Sequence, residues 1–119
     1  MKNYTVSDFK SVTPIYTGGN IYVFFGQLQD GSYLMSDSCV FYVRFLSADP
    51  LAAGDDAFYE DWQIDHLLRD IEDEEETLSF VIAMCDWVLQ NGDEKGYIDS
   101  EIEAIKNEAE SLKGTTDWR

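Results

Sequence analysis

The spacing of apolar and polar residues changes period once along this chain, at Asp49-Pro50. Before that point, short β-branched and aromatic runs alternate with turn residues. Thr13-Pro14-Ile15-Tyr16-Thr17 is a short run closed by Gly18-Gly19-Asn20. Ile21-Tyr22-Val23-Phe24-Phe25 has the composition of a strand, and Gly26 inside the same run predicts a bulge. Gln29-Asp30-Gly31-Ser32 reads as a hairpin turn, because Asp-Gly supplies the positive φ that such turns require. Ser32 to Ser36 then returns, and Cys39 to Leu46 forms a further strong run. Residues 21–46 therefore predict an antiparallel three-stranded meander, with 13–17 as a fourth strand.

After Pro50 the period becomes helical. Ile64, Leu67, Leu68 and Ile71 fall at i, i+3, i+4 and i+7, and Phe58 and Trp62 widen the stripe. Asp55 or Asp56 would cap this helix, and Glu60, Asp61, Asp65 and Asp70 would share its exposed side. A second helix, Thr77 to Gln90, is apolar nearly all round, as a buried helix is, and Asn91-Gly92 would close it. A third starts at Ser100, where Glu103 completes a capping box, and ends at Gly114. Its stripe of Ile98, Ile102, Ile105, Ala109 and Leu112 is narrow, the mark of an outer helix. The expected fold is α+β: an N-terminal antiparallel β-meander of three or four strands, with three C-terminal helices packed on one face. At 119 residues it is one domain, 1–119.

Composition supports a folded core. Apolar residues make up 45 % and there are seven Phe, seven Tyr and three Trp, whereas disordered acidic chains are poor in aromatics. No run reaches the ~18 apolar residues of a membrane span, and the first residues lack an apolar secretory segment. Cys39 and Cys85 lie in apolar segments and read as two buried thiols of a cytoplasmic protein rather than as a disulfide.

Charge is distributed very unevenly. Residues 1–48 hold three acids and three bases, so the other 21 acids and five bases, in 49–119, carry the whole net charge of −16. Between Asp49 and Glu76 twelve acids face one base, Arg69. Such a field repels nucleic acid and anionic membrane and attracts basic surfaces. Acids ahead of a helix favour its dipole by ~0.3–1 kcal/mol each, which accounts for Glu74, Glu75 and Glu76 but not for the rest.

The chemistry-bearing residues form no catalytic pattern. Asn91, Asp93, Gly96, Ile98 and Asp99 fall at positions one, three, six, eight and nine of an EF-hand-like loop. Lys95 has the wrong charge at the fifth position, and Ile102 stands where calcium needs a bidentate carboxylate, so a plain interhelical turn is expected. One histidine, His66, and two separated cysteines do not make a zinc site, and a Cys–His pair would require the fold to bring His66 to Cys85. No phosphate-binding loop, nucleophile elbow or dinucleotide fingerprint occurs. Tyr22, Phe24, Tyr33, Phe41 and Tyr42 could stack bases only beside a positive groove, which Lys2, Lys10 and Arg44 do not supply; they read as core. No metal, no cofactor and no enzymatic activity is expected.

In size, α+β layout and its acid-rich Asp55–Glu76 stretch, the chain resembles the small acidic anti-CRISPR and anti-restriction proteins of phages and mobile elements. That resemblance implies an inhibitor whose carboxylates stand where DNA phosphates would, engaging a basic nucleic-acid-binding protein such as a CRISPR effector nuclease. The expected partner-binding residues are Asp55, Asp56, Glu60, Asp61, Asp65, Asp70, Glu72, Asp73, Glu74, Glu75 and Glu76. The alternative is a protein–protein interaction or regulatory module whose acids serve only solubility.

Overall fold

The computed structural model describes residues 3–18, 21–39, 41–91 and 99–113. Five strands, β1 (Phe9–Gly18), β2 (Ile21–Leu28), β3 (Tyr33–Asp37), β4 (Tyr42–Leu46) and β5 (Leu67–Asp70), form one antiparallel sheet in the order β1-β2-β3-β4-β5. The hairpin turn falls where Asp-Gly predicts it. Gly31 has φ of +95°, its N–H donates to Leu28 O at 2.9 Å, and Asp30 Oδ1 accepts from Ser32 N. The helices are α1 (Pro50–Ala53), α2 (Glu60–His66), α3 (Glu74–Asn91) and α4 (Asp99–Leu112), with 3-10 segments at Val6–Asp8 and Gly54–Phe58. Asp49 caps α1 by accepting from Leu51 N, and Pro50 takes the first helical position, where no N–H is needed.

Strand alternation gives the sheet two apolar faces. Tyr22, Phe24, Leu28, Leu34, Val43 and Phe45 point to one face, where α3 and α4 cover them. Val23, Phe25, Met35 and Leu46 point to the other, where Ala57, Phe58 and Trp62 close a smaller core. The helices are therefore not all on one face as expected: α1 and α2 pack opposite α3 and α4. The reason is the reach of the chain. Residues 50–66 leave β4 on one face, β5 carries the chain along the sheet edge, and α3 begins on the far side.

Phe80 of α3 is the centre of the larger core. Tyr4 stacks on it at 3.6 Å between ring centroids, and Phe9 and Phe45 meet it edge-on at 5.8 and 5.9 Å. Ile102, Ile105 and Ala109 of α4 are buried against α3, and Lys106 Nζ pairs with Asp86 Oδ1 at 2.7 Å. The hydrogen bond from Tyr22 Oη to Glu101 Oε1, 2.6 Å, ties α4 to β2.

Two local expectations change. Gly26 makes no bulge: Val12, Gly26 and Leu34 pair in regular register, and the irregularities of β1–β2 lie at Phe9/Ser11 and Tyr16/Gly18. A Cβ at Gly26 would lie 3.2 Å from Met84 Cε and 3.3 Å from Leu34 Cδ1, so this glycine serves the close approach of α3. Ser100 lies inside α4, which already includes Asp99, and so is not its cap. Gly92 and Gly114, the expected helix stops, and Ile98 fall outside the described residues.

The two cysteines are free, but only one is buried. Cys39 is exposed in the turn after β3, where its N–H donates to Asp37 Oδ1. Burial pushes the Cys85 thiol up to about 12. A thiol reagent at mildly alkaline pH is therefore expected to modify Cys39 rapidly and Cys85 only after denaturation. Two fast thiols in the native protein would contradict the packing of α3.

Candidate functional site

The acid-rich segment is built differently from the helix its periodicity predicts. α2 ends at His66, and Leu67–Asp70 leaves the helix to pair with β4. Arg44 pairs with Asp70 and Phe45 with Arg69, while Leu46 pairs with Leu67, so Leu68 is an extra residue in the ladder. Ser47 N donates to His66 O and Ile71 N to Val43 O, which extends the pairing past both ends of β5. The helical spacing of Ile64, Leu67, Leu68 and Ile71 is overridden because β4 offers an open edge. A sheet ladder satisfies more backbone there than one further helical turn would.

That override moves the expected helix residues apart. Neither Asp55 nor Asp56 caps α2. Both sit exposed in the 3-10 segment, and the cap position is Tyr59, which offers no side-chain hydrogen bond. Glu60, Asp61 and Asp65 are exposed on α2, but Asp70 belongs to β5. The anchors expected under this helix separate too. Trp62 packs on the smaller core, Ile71 is buried in the larger one, and Leu68 is 64 % exposed.

The remaining acids stand at the start of α3. Asp73 caps that helix: its Oδ1 accepts from Glu76 N at 2.8 Å and its carbonyl accepts from Thr77 N and Oγ1. Glu76 is half-buried and accepts from Tyr4 Oη at 3.0 Å; burial, followed by this carboxylate, pushes that phenol up to about 12. Glu72 and Glu75 are exposed, and Glu74 is half-buried. The acids thus fall on either side of β5 along the chain, some in the 3-10 segment and α2 before it and some at the approach to α3 after it, rather than on one side of a helix.

One polar junction sets the geometry around β5. Arg44 donates from Nε to Asp70 Oδ1 at 2.9 Å and from Nη1 to Gln63 Oε1 at 2.6 Å, and its guanidinium lies 4.7 Å above the Tyr42 ring. Gln63 is buried, and its amide donates to Phe58 O at 3.2 Å. β4, β5 and α2 are therefore held to one another. On the opposite face Arg69 lies 4.2 Å over Phe45. Sequence reading missed this junction, since nothing local distinguishes Arg44 and Gln63 from surface residues.

Sequence reading also missed the exposed apolar side chains among the acids. Tyr59 is 64 % exposed, Ile64 62 %, Leu67 39 % and Leu68 64 %. The helical pattern concealed them by assigning Ile64, Leu67 and Leu68 to a buried stripe.

Other candidate chemistry does not assemble. His66 rests on Trp62 at 4.4 Å beside the smaller core, whereas Cys85 lies in the larger core across the sheet. Among the described residues no group of three His, Cys, Asp or Glu could hold a metal ion. Most of the EF-hand-like segment lies outside the described residues. Of its end, Ile102 is buried in the core and Glu101 is engaged by Tyr22. Tyr22, Phe24 and Phe41 are buried, and Tyr33 and Tyr42 half-buried, so the sheet aromatics are core. A cleft of about 80 Å³ lies between β2 and α1, lined by Ser11, Phe25, Gln27, Tyr33, Asp49 and Leu51, far below the usual size of a ligand pocket. No helix among the described residues is long and apolar enough to cross a membrane. Comparison with known proteins finds no matching family model, curated protein or solved structure, so the reading of this acidic edge rests on its own geometry.

Proposed function

We propose that this protein is a non-catalytic inhibitor that binds a basic, nucleic-acid-binding partner, such as a CRISPR effector nuclease, through the acids of residues 55–76. The observation that carries this reading is that exposed carboxylates stand on the elements directly before and after β5 in the chain, with β4, β5 and α2 held together by the Arg44–Asp70–Gln63 junction. Carboxylates on ordered elements meet a basic channel without first being ordered, so less of the attraction is offset by lost entropy. They would displace phosphate from that channel and release its counterions, which makes the interaction salt-dependent. The exposed Tyr59, Ile64, Leu67 and Leu68 weigh against the second reading, a purely solubilising skin, because apolar side chains in that skin work against solubility.

Competition with DNA for the target nuclease tests the proposal. The Glu60/Asp61/Asp65→Ala variant removes three exposed carboxylates that make no caps, and should leave stability within about 0.5 kcal/mol. It should displace DNA at least roughly tenfold more weakly than the native protein, with a flatter salt dependence. Asp73 is a poor choice for such a variant, because its loss also uncaps α3. Equal displacement by both proteins, or none by either, would reject the proposal.

A further inference from the structure

The cleft between β2 and α1 is too small for a free ligand, but it has the size of one side chain and unused polar groups in its wall. At about 80 Å³ it has room for roughly five water-sized groups. Its polar lining comes from four places in the fold: Ser11 of β1, Gln27 of β2, Tyr33 of β3 and Asp49, the cap of α1. All four are half-buried. Ser11 Oγ and Tyr33 Oη make no hydrogen bond among the described residues, and Gln27 uses only its amide N–H, which donates to Gly31 O. Asp49 Oδ1 accepts from Leu51 N, and the second oxygen of that carboxylate accepts nothing. No Lys or Arg among the described residues pairs with Asp49.

Four groups able to accept, one of them a half-buried carboxylate, thus converge on one small opening. A carboxylate drawn partly out of water favours a cation brought to it. Phe25 and Leu51 supply apolar wall for the stem of a long basic side chain. A guanidinium fits this lining better than an ammonium. Its five donors are spread in a planar fork and meet acceptors from several elements at once, whereas an ammonium is a point charge.

We infer that this cleft is the socket for one arginine side chain of the partner protein. This deepens the proposed function and rests on it. The cleft lies on the sheet face that carries α1 and α2, and so on the same side of the molecule as Glu60, Asp61 and Asp65. Exposed carboxylates attract a basic surface from a distance, and a guanidinium seated in a cleft then fixes the register of the two proteins.

The test titrates the full isotope-labelled chain with N-acetylarginine N-methylamide, and in parallel with the citrulline and lysine analogues, at fixed ionic strength. The citrulline analogue keeps the shape of arginine without its charge. The arginine probe should bind at about millimolar concentration and shift the amide resonances of residues 11, 25–27, 33 and 49–51. The other two probes should bind at least about tenfold more weakly. Asp49→Asn keeps the cap of α1, because Asn caps as well as Asp, and should weaken arginine binding about tenfold. Tyr33→Phe removes a hydroxyl that holds nothing in the fold, and should weaken it about threefold. Arginine binding matched by the citrulline or the lysine probe, or unchanged in Asp49→Asn, would overturn the inference. So would shifts confined to residues 55–76, or no saturable binding below about 50 mM. The DNA competition decides the proposed function separately, so the two failures are distinguishable.

Discussion

Phe80→Ala is expected to remove about 3–5 kcal/mol of stability, the usual range for deleting a fully buried aromatic. Phe80 has no exposed surface and is met by Tyr4, Phe9 and Phe45, which come from the N-terminal segment, β1 and β4. Those contacts join parts of the chain that are far apart in sequence, so no local rearrangement fills the void. The Tyr4 ring, stacked at 3.6 Å, loses its support, and with it the hydrogen bonds from Tyr4 Oη to Glu76 and from Tyr4 N to Ser79 Oγ are weakened. A small domain has only about 5–15 kcal/mol in total, so the variant should sit near its unfolding threshold. Urea denaturation should show a much lower midpoint at an unchanged slope. A loss of unfolding free energy below about 1 kcal/mol would mean that α3 does not pack on the sheet through Phe80.

Arg44→Ala is expected to cost about 2 kcal/mol, and to cost it mainly where the acidic edge is held. The ion pair with Asp70 contributes little, since Arg44 is about a quarter exposed and Asp70 nearly half. The larger loss is at Gln63, a buried residue whose amide oxygen would lose a 2.6 Å donor. Contact with the Tyr42 ring is lost as well. Hydrogen exchange should accelerate across 59–71 more than across α3. Arg44→Lys should not restore protection, because one ammonium cannot bridge Asp70 and Gln63 as the guanidinium does. Uniform acceleration over the whole sheet would instead mean that Arg44 supports the fold in general and not this edge.

These two residues illustrate what was legible in the sequence. Phe80 lies in a run that is apolar nearly all round, and its burial on α3 follows from that pattern alone. The β2–β3 hairpin was equally legible, because Asp30-Gly31 satisfies a backbone requirement within four residues. The narrow stripe Ile102, Ile105 and Ala109 correctly marks α4 as a helix packed by one side.

The acidic edge was legible only as composition. Twelve acids between Asp49 and Glu76 can be counted, and most of them are exposed, as their charge predicts. Their arrangement does not follow, because Leu67–Asp70 satisfies helical spacing and strand pairing equally well. Only the free edge of β4, distant in sequence, decides between them. Local periodicity thus determined where the N-terminal meander and the helices α3 and α4 lie, and which sides of those two helices are apolar. Tertiary pairing decided that the 50–66 segment packs across the sheet from α3, that Leu68 is exposed, and that Arg44 joins β5 to α2. Each of those outcomes depends on backbone hydrogen bonds or contacts between residues that no window of the sequence holds together.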